Sequence, residues 1–169
     1  LFGLTGSGRL KIIDEDTTTW NDVDNSQSSI GGNGFAIDNY RRAYVTKASK
    51  LYEVDLQTGV ILEEWELNTP GLTVRSSGDC VVNKNNSFYM TSSASPLDDL
   101  IYVDPATMKG VLVGNTGFDA IYGLTAAWGN LYGLNSTGKL LLIDPNTAET
   151  VELHDFPLSF YGAASTANR

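Results

Sequence analysis

Tyr122-Gly123-Leu124-Thr125-Ala126-Ala127-Trp128-Gly129-Asn130 returns 39 positions later as Tyr161-Gly162-Ala163-Ala164-Ser165-Thr166-Ala167-Asn168-Arg169. The match then continues from the other end of the chain. Leu1-Phe2-Gly3-Leu4 falls under Leu131-Tyr132-Gly133-Leu134, and Gly8-Arg9-Leu10-Lys11-Ile12-Ile13-Asp14 under Gly138-Lys139-Leu140-Leu141-Leu142-Ile143-Asp144, without a gap. A repeat completed by joining the two ends is how a ring of repeats closes.

Working outward, a short apolar strand ending in an acid occurs four times. The copies are Leu10–Asp14, Leu51–Asp55, Leu100–Asp104 and Leu140–Asp144, with the aspartates 41, 49 and 40 residues apart. These steps are about the length of a four-stranded propeller blade, roughly 40 to 50 residues. A Thr stands three residues after each acid, at Thr17, Thr58, Thr107 and Thr147. An Asp heading a turn accepts backbone N–H bonds from the residues that follow, so the four aspartates read as turn-formers before catalytic acids.

Upstream of each acid lies an aromatic-bearing strand, and before that a strand of small residues suited to the crowded axis of a narrow ring. The latter are Gly34–Ile37, Gly78–Val82, Tyr122–Ala126 and Tyr161–Ala164. A fourth strand follows each turn, clearest in Val60–Leu67 and Val111–Val113, and as period-two alternation in Val151–Leu153. No stretch of ten residues keeps helical periodicity without Gly or Pro. The expected fold is therefore an all-β, four-bladed β-propeller occupying residues 1–169 as one domain. Its blades span approximately 161–169 plus 1–23, 30–67, 76–117 and 120–156. The closing blade takes strand a from the C-terminus and strands b, c and d from the N-terminus. Four repeats cut from a longer tandem array would keep the same phase, and would give an open arc or two chains completing an eight-bladed ring.

Composition narrows the partners. Eleven Lys and Arg against 20 Asp and Glu give a formal charge of −9. Such a surface repels phosphate backbones, so neither nucleic acid nor an anionic membrane is expected as a partner. No apolar run of the ~18 residues needed to cross a bilayer is present. The chain does not begin with Met, which points to a processed or excised segment, loss of a leader being one such processing. The single Cys80, in an apolar stretch, reads as a small core residue.

Leu51-Tyr52-Glu53-Val54-Asp55-Leu56-Gln57-Thr58-Gly59-Val60-Ile61-Leu62-Glu63-Glu64-Trp65 resembles the repeat of pyrroloquinoline-quinone-type (quinoprotein-like) propellers, in which an Asp-x-x-Thr-Gly turn precedes a strand carrying Trp. Asp104–Thr107 and Asp144–Thr147 keep the turn but continue with Met108 and Ala148 and lack the Trp. The resemblance implies a propeller, and by itself no quinone. Quinone enzymes of that kind use eight blades and often adjacent cysteines.

In a propeller the b–c and d–a loops gather on one face, where function is usually sought. The longest connector, from Asn21 to Gly34, carries Asp22, Asp24 and Ser26 in the alternation of a calcium loop, but lacks the Gly and the bidentate acid that complete one. Asp22 and Asp24 are thus the candidate metal ligands; calcium is the cation considered, and no other cofactor is expected. Asp98 and Asp99, in the insertion that follows Ser92, are adjacent carboxylates able to hold a cation or raise one another's pKa. Arg75 is the one cation on its connector and suits an anionic group. Trp20 and Trp128 offer ring faces on which a sugar can stack. His154, at the end of an outer strand, stands away from the loop face.

Two functions remain. The first is a noncatalytic binding or assembly module of a secreted, surface or viral protein, monomeric or self-associating, holding a glycan or protein partner on the loop-rich face. That reading places it in a secreted, periplasmic or extracellular setting. The alternative is a hydrolase or lyase using carboxylates, with or without a divalent cation, at the channel mouth.

Overall fold

The computed structural model describes residues 1–5, 9–14, 16–23 and 30–164. It is an all-β, four-bladed β-propeller, and no helix occurs among the described residues. The first sheet holds β1 (Phe2–Leu4), β2 (Leu10–Asp14) and β3 (Thr19–Asp22). The second holds β4 (Gly34–Ile37), β5 (Ala43–Lys47), β6 (Lys50–Val54) and β7 (Ile61–Glu66). The third holds β8 (Ser76–Val82), β9 (Phe88–Ser92), β10 (Asp99–Asp104) and β11 (Lys109–Asn115), and the fourth β12 (Ile121–Ala127), β13 (Asn130–Asn135), β14 (Lys139–Ile143) and β15 (Thr150–Asp155). Every sheet is an antiparallel meander, so a–b and c–d turns emerge on one face of the ring and b–c and d–a connectors on the other.

Burial follows position in the blade. Middle strands are sandwiched between neighbouring blades and bury side chains of both parities: Ala43, Tyr44, Val45 and Thr46 of β5 are all buried. Outer strands face water on most of their length, as in β7 and β15. Each interface between packed blades carries its own apolar cluster. Leu51, Met90 and Ile101 belong to the one between the second and third sheets, and Leu100, Ile121 and Leu141 to the one between the third and fourth. Leu10, Val23, Val45 and Val54 join the first and second. Each fully buried Leu, Ile or Met contributes about 2 kcal/mol.

The inner strands approach to backbone contact. A Cβ added at Gly78 would lie 2.4 Å from both the Cα and the carbonyl oxygen of Tyr122 on β12. Small residues at the axis are thus a steric requirement.

The four acidic turns form as expected. Asp14 Oδ1 accepts the amides of Asp16 and Thr17, Asp55 Oδ1 those of Gln57 and Thr58, Asp104 Oδ1 that of Ala106, and Asp144 Oδ1 that of Asn146. The residue four places after each acid takes a left-handed backbone: Thr18 (φ 54°), Gly59 (φ 68°), Met108 (φ 53°) and Ala148 (φ 62°).

The closing blade differs in one respect from expectation. Residues 161–164 lie where its strand a belongs: Ala163 and Ala164 line the central cavity with Leu1 and Phe2. They form no strand. The extended start of the chain satisfies itself on β2 instead, with the Ile13 amide donating to the Leu1 carbonyl and the Leu1 amine to the Ile13 carbonyl. The joined repeat from Ser165 to Arg169 falls outside the described residues.

Candidate functional site

On the face of the b–c and d–a connectors, polar groups are spent on one another. Asp98 is 2% exposed, and its Oδ2 accepts the Ser77 hydroxyl at 2.7 Å and the Ile121 amide at 2.8 Å. Its backbone carbonyl accepts the Thr116 amide and hydroxyl. Ser76 Oγ reaches Thr46 Oγ1 at 3.1 Å, Asn33 Nδ2 donates to the Ser76 carbonyl, and Thr91 Oγ1 donates to the Ile121 carbonyl. Blade is thereby tied to blade. Burial pushes the Asp98 carboxyl above the usual carboxylate range, against the Ser77 and Ile121 bonds that lower it.

The adjacent acids do not form one site. Asp99 turns to Ser95 Oγ (2.7 Å) and Asn115 Nδ2 (2.8 Å), while Asp98 points into the inter-blade network. Arg75 is exposed, fixed through its backbone to Ser92 and Ser93. Asp22 sits at the end of outer strand β3, 2.6 Å from Lys11 Nζ, and that ammonium lies 4.0 Å over the Trp20 ring. Trp20 therefore presents a ring already engaged by a cation. Asp24 lies outside the described residues. Among the described residues no three His, Cys, Asp or Glu side chains converge as a metal site would require.

Cavities open on the opposite face, of a–b and c–d turns, and a further one of about 490 Å³ lies between the d–a connector at 69–72 and β11. A central cavity of about 320 Å³ is lined by Phe35, Ile37, Val82, Leu124, Thr125 and Ala164, among others, with Asp38 on its wall. Thr125 Oγ1 is buried in it without a hydrogen-bond partner. A wider cleft of about 760 Å³ opens between the first and second sheets, lined by Phe2, Ile12, Val23 and Leu56 with Arg41, Asp22 and Asp55 around them. Two aromatics stand clear of this face on a–b turns: Tyr40 is 73% exposed and Trp128 76%. The turns are braced against each other, since Asn39 donates from its amide to Asn86 Oδ1 and from Nδ2 to the Lys84 carbonyl. Asp38 holds the Tyr40–Arg42 turn by accepting the amides of both and the Arg42 side chain at 2.7 Å.

One inner-strand residue escaped the sequence reading. Asp79 on β8 accepts the Ala163 amide at 2.6 Å and the Leu124 amide, and burial pushes its pKa up to about 7 in spite of both bonds. Asp79 lies in the stretch of β8 between Ser76 and Cys80 where its register with β9 shifts. His154 is exposed on β15, edge-on to Phe156 at 4.3 Å.

No family model matches the chain, and no curated protein matches it in sequence. Solved structures do. Streptogramin B lyase superposes with a TM-score of 0.60 at 16% identity, over 90% of this chain and 49% of that one. Hydrazine synthase from Kuenenia stuttgartiensis gives 0.60 at 14%, over 87% and 44%. A gluconolactonase from Xanthomonas campestris gives 0.54 at 13%, over 92% and 71%. At these identities the likeness is one of fold. The chain spans about half the length of the first two.

Proposed function

We propose that this chain is a binding module that holds a glycan on the face formed by its a–b and c–d turns. The observation that carries the reading is the pair of exposed aromatics, Tyr40 and Trp128, on turns around a central cavity. An aromatic ring exposed at such cost in apolar surface stacks well on the C–H face of a pyranose. Asn85 and Asn130, exposed beside the same turns, supply amides that both donate to and accept from sugar hydroxyls. The two carboxylates that burial pushes upward, Asp79 and Asp98, are both occupied by backbone amides, which favours a structural over a catalytic use. A secreted or cell-surface setting fits such a ligand.

The test is a titration of the intact chain with a panel of neutral and acidic oligosaccharides, followed through the three indole N–H resonances. Binding should move the Trp128 resonance first. Trp128→Ala and Tyr40→Ala should each weaken affinity about tenfold, equivalent to ~1.4 kcal/mol, while leaving the melting temperature unchanged. Trp20→Ala should not alter binding. A shift confined to Trp20, or no shift with millimolar saccharide, overturns the reading; turnover of a bound saccharide makes the chain an enzyme.

A further inference from the structure

Asp79 reaches from β8 toward two backbones at once. One is the adjacent inner strand, through the Leu124 amide; the other is the segment 161–164, through Ala163 N at 2.6 Å from Oδ2. Around that bond the segment is fitted closely. Tyr161 stacks on Tyr122, with ring centroids 6.0 Å apart and planes at 17°, and a Cβ on Gly123 would lie 2.9 Å from the Gly162 carbonyl carbon. Yet Tyr161, Gly162 and Ala164 are exposed and belong to no strand. The Ala163 bond is thus the polar fixing of an otherwise lightly held segment.

We propose that Asp79 is a proton-set latch: a proton on its carboxyl favours docking of residues 161–164 beside β12, and loss of that proton releases them from the wall of the central cavity. The reason is solvation. With the segment docked, the carboxyl is half-buried between β8, β12 and residues 161–164; with the segment released, it meets water. Whichever state binds the proton more tightly is favoured as pH falls. The docked carboxyl titrates at about 7, burial outweighing the Ala163 and Leu124 bonds, against an ordinary value of 3.8 in water. A raised value means that docking is strongest below the solvated pKa, weakens as pH rises toward the docked one, and is level above it. When protonated, the carboxyl still has an oxygen lone pair for the Ala163 amide.

The Leu1 ammonium, whose residue lines the same cavity as Ala163 and Ala164, donates to the Ile13 carbonyl. The residues packed around Asp79 on β4, on β12 from Tyr122 to Thr125, and in 161–164 include no Lys, Arg, His, Asp or Glu. On β8 the neighbouring ionisable group is Cys80, whose thiol burial pushes far up, so it stays neutral. Asp38, the carboxyl on the cavity wall, is paired with Arg42. The latch is independent of what the cavity binds.

Hydrogen exchange of the intact chain between pH 5 and 8.5, expressed as protection factors, tests this. Protection of the Ala163 amide should fall with rising pH by up to about tenfold per unit until near 7, the limit for one proton, and then level. Met90 and Ile101 in the core should not follow. Asp79→Asn, which keeps the shape and an acceptor, should hold the segment docked with no pH slope. A flat wild-type profile, or an Asp79→Asn profile with the wild-type slope, overturns the proposal. Should that variant not fold, the Asp79 carboxyl carbon titration in the wild type decides: a midpoint near 4 overturns it, and one near 7 with loss of segment protection supports it.

Discussion

Replacing Gly78 with Ala should force two inner strands apart. The new Cβ would meet the Cα and carbonyl oxygen of Tyr122 at 2.4 Å, where ordinary contact begins at 3.4 Å. Two inner strands must then separate by about 1 Å, and the obstructing atoms are backbone that cannot rotate away. Overpacking that side chains can absorb costs about 1–3 kcal/mol, so the upper end, about 3 kcal/mol, is expected here. For a chain of this length that lowers the melting temperature by roughly 6–12 °C, and at a urea slope of about 2–3 kcal/mol/M it lowers the midpoint by about 1 M. Gly3→Ala is the control, because its Cβ would meet only Ile13 Cδ1 at 3.5 Å. Thermal and urea unfolding of both variants are the assays. If Gly78→Ala melts within 2 °C of the Gly3→Ala control, by the same scale a difference under ~1 kcal/mol, the inner strands do not meet backbone to backbone and the account of the axis is wrong.

Asp98→Ala should cost about 3 kcal/mol by urea unfolding, since it leaves the buried Ile121 amide and the Ser77 hydroxyl without an acceptor, at ~1–3 kcal/mol for each buried loss; Asp98→Asn should cost less. Cys80, buried at 3% exposure with its thiol pushed far up by burial, should react with a disulfide reagent no faster than the protein unfolds, so its rate should rise with urea in step with unfolding. Thr18→Gly should stabilise, by about 0.5–1 kcal/mol, because a left-handed residue gives up its Cβ clash at an exposed turn. The turn carboxylates Asp14 and Asp55 are held below 3.8, chiefly by the amides of Thr17 and Thr58, so what they add is present above pH ~4 and is lost as pH falls through their lowered values; carboxyl-carbon titrations with midpoints at or above 4 would contradict this.

The ring was legible because its determinants are local and repeated. An acid heading a turn, an aromatic strand before it and a small-residue strand before that each act through backbone geometry, so four imperfect copies sufficed. The closing strand was less legible. The match of Tyr161–Ala164 to Tyr122–Thr125 located the segment beside β12 but not its pairing, because pairing depends on a partner, β1, only three residues long. Site residues were the least legible of all. Asp98 and Asp99 look alike in sequence, and only the turn of the strand sends one into the inter-blade network and the other to Ser95 and Asn115. Asp22 offered a cation ligand until Lys11, on the paired strand, took it up. Asp79 was hidden in a strand read as core, and only the irregular stretch of β8 between Ser76 and Cys80 brings its carboxyl to the Ala163 amide.

Thr18, Gly59, Met108 and Ala148 share one backbone shape while sharing no side chain. The blade is thus copied as a conformation, with residue identity free to drift once the preceding acid has captured its amides. Drift there is not neutral for the neighbours. Ala148 and Met108 carry their side chains into apolar clusters that Gly59 leaves to others. At this position Gly59 serves the turn alone, whereas Met108 and Ala148 are also pegs that hold one blade to the next.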